Sequence, residues 1–170
     1  TMVSYNHTCC DITNNQNIQT GITTETAKWA LTTTYASNYH PLTWFSHMLD
    51  VQLFGLNPKG HHLVNVAFHI LNTLLIFLFL NLATRSLWRA AVVSALFACH
   101  PLHVESVAWV SERKDLLSTM FWLLTFIAYH YYLKQRSWKL YLVASTCFLA
   151  GLLAKPMLVT LPFTLLLLDY

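Results

Sequence analysis

Formal charge is what this chain has least of. Only 10% of its 170 residues are Asp, Glu, Lys or Arg, against roughly 25% in soluble domains. The balance of 10 basic over 7 acidic residues leaves +3. That excess is small and unclustered, which excludes a polycationic nucleic-acid binder. Four glycines and five prolines exclude collagen-like and linker sequence. No Gly-rich phosphate loop, nucleophile elbow, zincin motif or Rossmann fingerprint occurs, which disfavours a soluble ATP- or NAD-dependent enzyme. Cys9, Cys10, Cys99 and Cys147 show no zinc spacing and fix no redox compartment. What the chain does have is 55% apolar residues, 14% aromatics and a mean hydropathy of +0.44. Intrinsic disorder is excluded by that content. A membrane protein remains, or a very apolar soluble helical domain. Starting at Thr1 with no leader-like segment, the chain reads as part of something longer.

Composition changes near residue 60. Residues 1–60 are rich in Thr and Asn and read as a water-exposed segment. Residues 61–170 carry apolar runs separated by short charged joints. Leu63–Ala83 is free of formal charge over 21 residues, long enough to cross a hydrocarbon core of about 30 Å. Further runs cover 90–99, extendable to Val110 with a kink at Pro101, then 116–133, 140–154 and 157–168. Arg85 and Arg89 lie in one joint, and Lys134, Arg136 and Lys139 in another. Five basic residues with no acid between them predict two cytoplasmic joints. Residues 1–61, 100–115 and Lys155 are then expected together on the exoplasmic side.

Two helices are predicted in the exposed segment. One covers Thr23–Leu31, with threonine caps and Glu25 in its first turn. The other covers Pro41–Phe54, opened by a proline and closed at Gly55. Its Leu42, Phe45, Met48 and Leu49 share one side, and Thr43, His47 and Asp50 the other, a division that suits a helix lying flat on a membrane.

His62, Asn65, His69 and Asn72 form a polar stripe on the first apolar run, expected to face other helices or a water-filled path rather than lipid. The segment 100–115 reads as a loop dense in chemistry. Its carboxylates can hold a divalent cation, Arg113 and Lys114 can neutralise a phosphate, and His100 or His103 can move a proton. The topology brings His40, His47, Asp50, His100, Glu105, Arg113 and Lys155 toward one cavity.

Longer motifs carry a family resemblance. They are Trp29-Ala-Leu-Thr-Thr-Thr34, His40-Pro-Leu-Thr-Trp-Phe-Ser-His-Met-Leu-Asp50, Gln52-Leu-Phe-Gly-Leu-Asn-Pro58 and Gly60-His-His-Leu63. To these add His100-Pro-Leu-His-Val-Glu-Ser-Val-Ala-Trp109, Glu112-Arg-Lys-Asp115 and Ala154-Lys-Pro-Met-Leu-Val-Thr-Leu-Pro162. The sequence resembles the amino-terminal membrane region of bacterial polytopic proteins with carboxy-terminal tetratricopeptide repeats. That group is similar to the animal transmembrane and tetratricopeptide-repeat O-mannosyltransferases.

The resemblance implies an all-α, polytopic GT-C-type fragment in a bacterial inner membrane, with residues 1–60 as an exoplasmic loop holding membrane-parallel helices. It implies transfer of a sugar from a polyprenyl-phosphate carrier to a protein hydroxyl. Its catalytic base is an acidic pair or triplet after a tyrosine. Here Tyr5 is followed by Asn6 and His7, which leaves Asp11 as the nearest acid, in a shifted register, and predicts impaired catalysis. Arg113, Lys114 and Lys155 become candidates for the leaving phosphate. His40, His47, Asp50 and Glu105 join them as substrate contacts. His100, His103, Glu112 and Asp115 become candidates for acceptor or metal contacts, with a divalent cation as the possible cofactor. Partners implied are membrane lipid, the lipid-linked sugar and an acceptor protein, with no nucleic acid. A non-catalytic scaffold that presents repeats, and a transporter or channel segment, are the competing readings.

Overall fold

The computed structural model describes residues 15–34 and 39–169, with side chains described to residue 166. The described residues form helices and turns, with no strand. The fold is all-α. In chain order the helices are α1 (Gln16–Gln19), α2 (Thr24–Thr32), α3 (Pro41–Phe54), α4 (Pro58–Thr84), α5 (Leu87–Cys99) and α6 (Leu102–Ala108). They are followed by α7 (Arg113–Gln135), α8 (Trp138–Ala154) and α9 (Leu161–Asp169). Short 3-10 turns at Val110–Glu112 and Pro156–Thr160 precede α7 and α9.

Local chemistry sets the boundaries. Thr23 caps α2 and exchanges bonds with Thr26 in a capping box, which satisfies two otherwise orphan amides. Pro41 occupies the first turn of α3, where its missing N–H costs nothing. Gly55 ends that helix at φ 62°, a backbone region that favours glycine. The segment 100–115, read as a loop, is mostly helical, and α6 follows the other expectation, a continuation of the second apolar run past a kink at Pro101. Pro101 starts α6, Glu105 lies in its first turn, and α7 begins at Arg113.

Two helical stretches, Pro58–Thr84 and Val110–Gln135, are long and apolar enough to cross a membrane. A third span is possible if α5 and α6, bent by 60° at His100-Pro101, count as one. α8 and the Pro156–Leu166 stretch are apolar but shorter. Outward side chains along these helices are apolar: Leu63, Leu74, Leu96, Leu149 and Leu166 are all exposed. Lipid rather than water is the solvent that such a surface suits.

α4 and α7 run parallel. The Asn65 amide donates to the carbonyls of Val107 and Trp109, Asn72 donates to Leu116 O at 2.9 Å, and the Phe79 and Phe126 rings lie 5.2 Å apart. α8 returns antiparallel to α7, since the Tyr132 and Tyr141 rings meet near the turn and Gly151 lies against Phe121. Both basic joints therefore lie at one end of the bundle. At the other end, Ile18, Ala30, Trp44 and Met48 form a small core that holds α1–α3 together.

Candidate functional site

At this second end α3 turns its polar side into the protein. Thr43, His47 and Asp50, its polar side, are buried, as is Met48 of its apolar side, while Leu49 and Leu53 are exposed. The reason is that the polar side has partners. Thr43 Oγ1 donates to the carbonyl of Ala154 at the end of α8. Asp50 pairs with Arg113, which is fully buried. Arg113 Nε donates to Asn65 Oδ1 at 2.8 Å, Nη1 to Ser46 Oγ at 3.2 Å and to Asp50, and Nη2 to the carbonyl of His61 at 2.9 Å. One guanidinium thus joins α3, α4 and α7. A buried charge is tolerated in this way, paired and with its donors occupied. His61 Nδ1 approaches Asp50 Oδ2 at 3.2 Å.

Around this buried node the remaining candidates form separate groups. His40 stacks on Trp44 at 4.8 Å. Its pKa is pushed down to about 4, first by burial and then by the nearby Lys114 ammonium. Lys114 pairs with Glu112 at 3.2 Å. Lys155, just past α8, pairs with Asp115 in the first turn of α7. Beside that pair opens a cleft of about 300 Å³ lined by Ser118, Thr119, Trp122, Lys155, Met157, Leu158 and Thr160. Glu112 and Asp115 each face a lysine, and neither belongs to a group of three potential metal ligands among the described residues.

His100 and His103 stand elsewhere, with His62 and His69, along a largely apolar cleft of about 470 Å³ between α4 and the α5–α6 bend. The His103 ring lies 4.1 Å from that of Phe97, and His69 Nε2 lies 3.2 Å from the carbonyl of Ala98. Glu105 is exposed on α6. Three members of the polar stripe, Asn65, His69 and Asn72, make bonds to neighbouring helices, whereas His62 is exposed at the cleft. Asn6, His7 and Asp11 lie outside the described residues.

His61 and Ser46 were not singled out from the sequence. His61 sits one position before the polar stripe, and its importance depends on how the first turn of α4 meets α3. The one signal for it was its place in the Gly60-His-His-Leu63 motif.

A bundle of apolar helices capped at one end by a buried polar node and two clefts defines an integral membrane module. The family described as dolichyl-phosphate-mannose-protein mannosyltransferase matches residues 40–170, and the chain belongs to that family. The Drosophila melanogaster "Protein O-mannosyl-transferase Tmtc1" is 35% identical over 123 residues, covering 72% of this chain and 14% of that protein. The Mus musculus "Protein O-mannosyl-transferase TMTC1" is 37% identical over 99 residues, 58% of this chain and 10% of that protein. The Homo sapiens "Protein O-mannosyl-transferase TMTC3" is 35% identical over 96 residues, 54% and 10%. The chain therefore spans a small part of these relatives' length. No solved structure matches it.

Proposed function

We propose that this chain is part of a GT-C-type glycosyltransferase that moves a sugar from a polyprenyl-phosphate carrier to a protein hydroxyl on the exoplasmic side. The observation that carries the proposal is the family match over residues 40–170, which takes in the node and both clefts. The sidedness rests on Arg85, Arg89, Lys134, Arg136 and Lys139 at the opposite end, which the positive-inside bias assigns to the cytoplasm.

In such a transfer the acceptor hydroxyl loses its proton as it attacks the sugar carbon, and the carrier leaves as a phosphate. A carboxylate suits the first task and a cation the second. Arg113 has its donors committed inside the protein, so its role is to hold α3, α4 and α7. Lys155 is part-exposed at the mouth of the Trp122 cleft and is the better phosphate contact, with Lys114 second. Asn6 cannot serve as the base, because a side-chain amide is not protonated near neutral pH. Loss of a general base costs about 10²–10⁴ in rate.

The test uses full-length protein in liposomes with a polyprenyl-phosphate sugar. Asn6→Asp with His7→Asp is expected to raise turnover. Lys155→Met in that background is expected to lower kcat about 10²–10³-fold, the usual effect of removing one charge-stabilising donor. Robust turnover of the unaltered protein that survives Asp11→Asn would remove the vacated-base reading. The loss of acids at positions 6 and 7 also favours a second reading, a non-catalytic membrane scaffold presenting tetratricopeptide repeats. No transfer by any variant would favour that scaffold.

A further inference from the structure

We propose that His47, Asp50 and His61 form a site for a zinc-class divalent cation, fastening α3 to the first turn of α4. One ligand atom from each residue can be chosen such that all three lie within 4.8 Å of one another. Tetrahedral bonds of about 2.0 Å place ligand atoms roughly 3.3 Å apart, so a modest contraction closes the set. All three residues are buried, at 2%, 3% and 4% exposure. His47 and Asp50 are spaced i, i+3 on one face of α3, and His61 comes from the next helix.

Hydrogen bonding gives a second, independent argument. His61 Nε2 lies 3.1 Å from the carbonyl oxygen of Gly55. A carbonyl only accepts, so Nε2 carries the hydrogen. In the neutral ring Nδ1 then presents a lone pair, and it does so 3.2 Å from Asp50 Oδ2, another acceptor. Two acceptors facing each other in a buried site repel unless a cation lies between them. His47 Nδ1 is likewise buried with no hydrogen-bond partner. A ring nitrogen fixed by a carbonyl on its far side is the usual setting of a metal-bound histidine.

Ligand chemistry selects the ion. Two imidazoles and one carboxylate suit zinc, cobalt or copper. Magnesium and calcium ask for six or more oxygens. Arg113 bonds the same Asp50 oxygen, Oδ2, that faces His61 Nδ1, so a cation shares that carboxylate with the guanidinium, and each carboxylate oxygen offers about two acceptor sites. The guanidinium charge opposes a weakly held cation and admits one bound strongly through nitrogen. The competing occupant of the gap is a proton, with His61 as an imidazolium between Gly55 and Asp50.

The experiment takes full-length protein in detergent, stripped with a chelator and titrated with Zn²⁺ or Co²⁺ while metal content and thermal unfolding are recorded. One saturable equivalent and a raised Tm are expected. His47→Gln and His61→Gln should each weaken binding more than about tenfold, since even outer-shell partners are worth that much. Glu112→Gln should leave binding unchanged. Absence of saturable binding to the folded protein would assign the gap to the proton and overturn the site. X-ray absorption on the unaltered zinc-loaded protein guards against variants that misfold. A first shell containing two imidazoles supports the site, and an all-oxygen or sulfur shell overturns it. None of these readouts requires glycosyl transfer, so the site can stand or fall apart from that activity.

Discussion

The two ends of the bundle turn the chain by opposite means. At the basic end, α4 passes to α5 through Arg85-Ser86, and α7 to α8 through Arg136-Ser137. Both arginines adopt the left-handed conformation at φ 51°, each donating its N–H to the carbonyl four residues back. These corners are local, and each is complete within a few residues. At the other end, residues far apart in sequence meet, and their polar groups are buried against one another. Local corners tolerate change, while a buried polar network fails when one member is removed.

The largest expected effect comes from breaking the Asp50–Arg113 pair alone. Asp50→Ala or Arg113→Ala strands a buried charge and is expected to cost about 3–5 kcal/mol. Chemical unfolding in detergent measures it. Arg89→Ala, an exposed charge at the basic end, should cost no more than about 0.5 kcal/mol. Equal losses at both ends would remove the contrast.

Asn65→Leu comes next. It removes the acceptor for Arg113 Nε and the donor to Val107 and Trp109, and should cost about 1–3 kcal/mol. Asn81→Leu, on the same helix near the basic end, serves as the control in the same assay and should cost less.

Acid offers a milder test. His40 titrates near 6.5 when unfolded and at about 4 when folded. The unfolded chain therefore binds more protons between those values. Stability from the neutral ring is complete above pH 6.5 and is lost as pH falls toward 4. Thermal scans across that window should show a declining Tm, and His40→Gln should flatten the decline. An unchanged slope in His40→Gln would assign the decline to another group.

The smallest effect has the opposite sign. Arg85→Gly and Arg136→Gly relieve left-handed backbone in a non-glycine residue. Each should stabilise by up to about 1 kcal/mol, again read by chemical unfolding. Destabilisation by either would show that the arginine side chain matters more than its backbone.

The same contrast explains what the sequence could tell. Pro41 and Gly55 mark the two limits of α3, because a proline at the first turn and a glycine at positive φ are local signals. The apolar runs and their basic joints were legible for the same reason. The particular partners that α3 meets were not. Periodicity divides its polar from its apolar side, but a buried Asp50–Arg113 ion pair, with its partner 63 residues downstream, is not written in it. His61 escaped notice on the same ground: adjacent histidines point about 100° apart on a helix, and choosing between His61 and His62 requires knowing where α3 lies. The helical course of 102–108 was legible as a continuation of the second run past Pro101, whereas the charges gathered at 112–115 read as loop.

That separation also sets an order of assembly. Asp50, Ser46, His61 and Asn65 leave the ribosome long before the guanidinium that joins them. At about 5–20 residues per second, Asp50 waits roughly 3–13 s for Arg113 to be synthesised. The hairpin of α4 and α5 can enter the bilayer in that interval, since its own corner needs nothing from later sequence. Docking of α3 cannot be completed until α7 arrives. A nascent chain stopped before residue 113 would therefore keep α3 undocked and open to proteases, and one stopped after α8 has emerged would protect it.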